Sequence, residues 1–140
     1  MGILYGGMSM LNSNAFNYIN VLDKAADASW TRETILANNI ANVDTPGYKR
    51  QDLDFESLLK KEMGRSMSVS FDEKIKSLNG NLNDLNPIIY KDHSGYSYRL
   101  DGNNVDIENE NVMLAENQLK YQGLLTSITQ EFTNLQAVMK

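Results

Sequence analysis

The last quarter of this chain repeats every seven residues, and that period constrains the fold more than any other feature. Positions 114, 121, 128 and 135 are Leu, Tyr, Ile and Leu, while 118, 125, 132 and 139 are Gln, Leu, Phe and Met. A sustained heptad requires a long helix packed on another helix, because only then does the stripe keep facing a partner. Leu124 and Val138 add a third apolar row, so the stripe is wide enough to meet more than one neighbour. Asn117 and Gln118 lie on the same stripe and weaken a solitary coiled coil. Asp106 is placed to cap this helix, predicted over 106–140, and Glu108 and Glu110 put negative charge in its first turn, where the helix dipole favours it.

A second, weaker periodicity occupies the front of the chain. Tyr18, Leu22, Ala25, Ala26, Ser29, Leu36, Ile40 and Val43 recur mostly at three- and four-residue intervals. They predict a helix over 15–44 with Asn14 as its N-cap, preceded by a flexible segment over 1–14. Pro46 ends it, and Gly47 supplies the positive φ that the third position of a type II turn needs. Beyond the turn, 49–63 suits a short amphipathic helix or an extended strap. The stretch 64–104 is irregular, with no helix expected. Ile88–Tyr90 and Tyr96–Leu100 flank a turn-like Asp92, His93, Ser94, Gly95 and suit either a small hairpin or a mobile linker. The predicted fold is therefore one mainly α domain: long N- and C-terminal helices in an antiparallel, coiled-coil-like pair, with an irregular middle segment over 45–105 carrying a small β-hairpin.

Composition narrows the function. Seventeen asparagines among 140 residues dilute the apolar supply and predict a thin core. A net charge of −5 opposes the footprint that phosphate backbones demand, so nucleic acid is not an expected partner. Cysteine is absent, which removes thiolate metal sites and catalytic thiols. The opening MGILYGGMSM has no basic residue and does not read as a cleavable leader, and no stretch approaches the roughly 18 apolar residues of a membrane span, so stable membrane insertion is not expected.

Little in the chain resembles a reaction centre. His93 is the single histidine and falls in a predicted turn, with no second histidine to complete a metal site. Ser66, Ser68 and Ser70 have no base nearby in sequence, and Asp52, Asp54 and Glu56 alternate along a charged strap that reads as a solvated face. Asp101, Asn103 and Glu108 offer oxygens, but the glycine is misplaced for a calcium loop. No catalytic, cofactor-binding or metal-binding residue is assigned.

Residues 38–50, NNIANVDTPGYKR, stand out. Asparagine seldom favours a helix interior, because its amide competes for main-chain groups. Repeating it at Asn38, Asn39 and Asn42 suits either specific hydrogen bonds across a packed interface or a fraying, Asn-rich helix end. Asn39, Ile40, Ala41 and Asn42, followed by Thr45, Pro46, Gly47 and Tyr48, resemble the signature of the flagellar rod and hook axial proteins. Lys49 to Phe55 resembles the proximal-rod members, as do GNNVD at 102–106 and AENQLKY at 115–121. Longer relatives insert a β domain for which this chain has no room.

The resemblance implies a structural subunit without enzymatic activity, exported through the flagellar apparatus without a cleaved signal and assembled in the basal body. Its implied partners are other rod subunits, the rod adaptor in the membrane ring, the export gate and further copies of itself. The expected packing interface comprises Leu36, Ile40, Leu114, Tyr121, Leu124, Leu125, Ile128, Phe132 and Leu135, with isolated protein weakly helical until partners are present. Two rivals remain: a secreted helical-hairpin effector or adhesin binding a partner helix, and a small enzyme using Ser70, His93 and a carboxylate.

Overall fold

The computed structural model describes residues 2–66, 70–93 and 99–139, with side chains from Asn14 onward. Helix α1 runs Gly2–Ala41, then come strand β1 (Gln51–Leu53), helix α2 (Phe55–Arg65), helix α3 (Phe71–Gly80), a 3-10 turn (Leu82–Leu85), strand β2 (Ile89–Lys91) and helix α4 (Ile107–Met139). These form two compact units. Residues 1–26, 55–86 and 123–140 make one, and 27–54 with 87–122 make the other. Both long helices contribute a stretch to each.

Helix α1 starts at Gly2, not at Ala15, so residues 2–14 are helical and Asn14 falls inside the helix rather than at its cap. The polar cluster at 12–14 does not stop it, because asparagine costs a helix well under about 1 kcal/mol and no proline precedes Pro46. The cap on α4 is as expected: Asp106 Oδ1 accepts from the Glu108 and Asn109 amides at 3.1 and 3.3 Å.

In the first unit the expectation of no helix over 64–104 fails at α3. Ser70 sits at its N-cap, Asp72 and Glu73 occupy its first turn, and Ile75 and Leu78 are buried. That local signal is present in the sequence, but the surrounding Ser- and Asn-rich residues mask it. Helix α3 is fastened to α1 by polar contacts. Asn79 Nδ2 donates to Asn17 O at 2.8 Å, Asn20 Nδ2 donates to Asn79 Oδ1 at 2.8 Å, and the Tyr18 hydroxyl donates to Asp72. Burial and the Asp72 carboxylate push the Tyr18 hydroxyl up to about 12. Ile19, Val21, Phe55, Leu85 and Leu135 complete this core.

In the second unit β1 and β2 pair antiparallel, with Asp52 opposite Tyr90 and Leu53 opposite Ile89. The run predicted at Ile88–Tyr90 is thus a strand, paired with Gln51–Leu53, and most of the other predicted hairpin arm, 96–100, lies outside the described residues. The two long helices run antiparallel here: Ser29 meets Asn117, Glu33 meets Gln118, and Asn39 meets Glu110. The core is thin in the way the asparagine content implies. Of the six largest side chains under 2% exposed among the described residues, Glu110, Asn39, Asn103 and Asn117 are polar and all four belong to this unit.

Candidate functional site

The two signature segments meet in the second unit and interlock. Helix α1 stops at Ala41, and the carbonyls of the turn that follows it need donors from elsewhere. Asn103 provides them. It is fully buried, and its Nδ2 donates to the carbonyls of Asn42, Val43 and Thr45 at 2.9, 3.0 and 2.9 Å. Arg99 adds a guanidinium N–H to Val43 O at 2.6 Å.

The Thr45 to Tyr48 turn is type II: Gly47 has φ 72° and the Tyr48 amide donates to Thr45 O at 3.2 Å. Gly102 takes φ 74° in the facing turn, where a Cβ would lie 3.8 Å from the Gly47 Cα. The Gly47 amide donates to Asp101 O at 2.7 Å, and Lys49 Nζ donates to Gly102 O. Replacing Gly47 by valine meets open space, so its cost is backbone strain of about 1–2 kcal/mol. Thermal unfolding of Gly47→Val should show that loss, with no comparable loss in Pro46→Ala.

Asn39 joins α1 to β1. Its amide is fully buried and fully paired: Nδ2 donates to Gln51 O at 2.7 Å and to Glu110 Oε2 at 3.1 Å, while Oδ1 accepts from the Gln51 amide at 2.9 Å and from the Tyr48 hydroxyl at 3.1 Å. The side chain acts as a one-residue strand on the edge of β1 away from β2.

Beside it lies a charge network. Arg50 is 9% exposed and donates to Glu110, to Asp92 at 2.8 Å and to Asp52 at 3.2 Å. Arg32 grips Asp52 with two N–H groups at 2.7 and 3.1 Å. Burial alone would lower the Arg50 pKa, but hydrogen bonds to Glu110 and Asp92 outweigh it and raise it. At Asp52 burial opposes ionisation, yet Arg32, the Leu53 amide and Arg50 hold the carboxyl below the usual range. Asp52 is therefore not on a solvated face, contrary to the strap reading, because β1 turns Arg50 and Asp52 to one side, two residues apart. Glu110 is 1% exposed and does more than complement a helix dipole.

Among the residues expected to pack, Leu36 and Leu135 are buried, and Ile40, Leu114, Tyr121, Leu124 and Ile128 are half-buried. Leu125 and Phe132 are 43% and 46% exposed. The row 118, 125, 132, 139 is thus exposed throughout. The inner face of α4 combines Leu114, Tyr121, Ile128 and Leu135 with Glu110, Asn117, Leu124 and Glu131. Polar residues won those inner positions because each has a specific partner or a pocket edge, which apolar counting does not register. Leu36 lies between Ser29 and Asn39 and so stands level with the first turns of α4. Trp30, 60% exposed and with its ring 5.7 Å from that of Tyr121, and the Arg32, Arg50, Asp92 and Asn104 contacts were not singled out from sequence. For Arg50 the available signal is its position at the end of the motif run. His93 is exposed, Ser68 lies outside the described residues, and no cluster of three or more metal-ligating His, Asp or Glu side chains occurs among the described residues.

An architecture of two long helices tied by interlocked loops, with an apolar row left outside, is that of an assembly subunit. A flagella basal body rod protein family model matches residues 20–49, the second half of α1 with the Thr-Pro-Gly-Tyr turn. The chain belongs to the flagellar basal body rod proteins, a structural family without enzymatic activity. More particularly, its relatives are flagellar basal body rod proteins named FlgB. The Bacillus subtilis protein is 31% identical over 132 residues, covering 94% of this chain and 97% of that one. Those of Salmonella typhimurium and Escherichia coli are 36% and 33% identical, each over 78% of this chain and 83% of the relative. Membership places the protein in the flagellar basal body and displaces both the small-enzyme and the adhesin readings. No described helix is long and apolar enough to cross a membrane.

Proposed function

We infer that the chain is a proximal-rod subunit that self-associates and packs with other rod subunits through its terminal helices, and that the shaft so built carries torque because those interfaces resist shear. One observation carries this: Leu125, Phe132 and Met139 stand exposed at seven-residue spacing on the outer end of α4, while the neighbouring inner row already serves the chain's own packing. An exposed apolar row on a helix is a surface awaiting a helix. In the same reading the subunit reaches its place through the flagellar export apparatus without a cleaved signal, and contacts the export gate and the adaptor in the membrane ring.

Phe132→Ala tests the assignment. Because the ring is 46% exposed, the monomer should lose less than the roughly 3–5 kcal/mol of a core phenylalanine, whereas rod assembly and motility should fail. A motile strain with intact basal bodies would count against this face. Amide exchange on dilute protein should be slowest over the interlocked segments and faster over 123–139.

A further inference from the structure

The inner apolar row of α4, Leu114, Tyr121, Ile128 and Leu135, repeats every seven residues. Such a row pairs about as well when displaced by one heptad, roughly 10 Å along the axis at 1.5 Å per residue. Asn117 breaks that degeneracy. It is 1% exposed, and its Nδ2 donates across the seam of the second unit to the main-chain carbonyl of Ser29 at 2.8 Å. Its Oδ1 is buried without a hydrogen-bond partner among the described residues. An orphaned buried acceptor costs stability, so an apolar residue would pack here at lower free energy. What asparagine gains is selectivity.

The carbonyl of Ser29 is within reach because Ser29 is small, and buried Ala26 and Ala28 beside it are small as well. One heptad to either side on α1 stand Leu22 and Leu36. Displacement in either direction would set the Asn117 amide against a leucine side chain that shields the main chain behind it. The amide would then lose its acceptor while staying buried.

We propose that Asn117, reading the small residue Ser29, pins the α1–α4 seam to a single axial register at the expense of stability. The absence of cysteine makes this testable, since introduced pairs report alone. Glu33→Cys with Gln118→Cys reports the native register, in which Gln118 Nε2 donates to Glu33 Oε1 at 3.1 Å, and a short bis-maleimide spans the gap that two such long side chains bridge. Glu33→Cys with Asn111→Cys, or with Leu125→Cys, reports the two displaced ones. In full-length dilute protein only the native pair should be closed by that crosslinker. Adding Asn117→Leu should raise the urea midpoint and increase closure of a displaced pair at least tenfold. Ser29→Leu should also admit a displaced pair, whereas Ser29→Ala should change neither, because the acceptor is main chain. The proposal is overturned if Asn117→Leu still closes only the native pair, which would mean that the Arg50–Glu110 network sets register unaided, or if that variant has a lower urea midpoint.

Discussion

Replacing Arg50 by methionine is expected to cost the second unit about 3–5 kcal/mol, the range for stripping one partner from a buried ion pair. The methionine stem fills the volume, so the loss measures charge. Glu110, 1% exposed, would keep only the Asn39 amide as a donor among the contacts described, and Asp52, 5% exposed, would keep Arg32 and the Leu53 amide. Double replacement with Glu110→Gln should recover part of the loss, since no uncompensated carboxylate then remains at that point. Urea unfolding of the single and double variants decides the matter; a single variant within about 0.5 kcal/mol of the parent would show the network to be solvated. The network also sets an acid limit. Asp52 titrates below its ordinary 3.8, so its contribution is complete above that value and is lost as pH falls through the depressed one. Arg50→Met should flatten the acid limb of the stability profile, because part of what depresses Asp52 is gone.

Asn39→Leu should be nearly as damaging, about 3 kcal/mol or more, although leucine is of similar size and suits a helix better. The change leaves four groups without their partner at once: the Gln51 amide and carbonyl, the Tyr48 hydroxyl and one Glu110 oxygen. Each buried polar group so abandoned costs about 1–3 kcal/mol before relaxation. Asn39→Asp keeps the acceptor for Gln51 and Tyr48 but puts a carboxylate against Glu110, so it should be destabilised more at neutral pH than in mild acid. Circular dichroism melts of the two variants at pH 7 and pH 5 provide the comparison. Asn38→Leu, one position away on the exposed side of the helix, is the control and should be near neutral.

These two positions show how far sequence reaches here. The Asn-rich run announces hydrogen bonding, and Asn39 does sit at its centre, but nothing local states that its partners are Gln51 and Glu110, the latter 71 residues away. The fold class was legible from periodicity, and the Thr45 to Tyr48 turn from two residues with narrow backbone preferences. Helix α3 is not legible because its short apolar pattern is surrounded by loop-like residues, and the charged strap reads as solvated because charge suggests solvent unless a buried opposite charge is known.

The sequence by itself determined what is local or periodic: two long helices, the stop at Pro46, the positive φ at Gly47 and the seven-residue repeat of α4. Tertiary structure alone decided which heptad row turns inward, that Asn103 ties down the turn after α1 across 61 residues, and that Arg50 covers Glu110 across 60. The physical reason is the same in each case. A helix or a turn is set by short-range sterics and main-chain hydrogen bonds, whereas the free energy of a buried amide or carboxylate depends on partners that only folding brings within 3 Å or so.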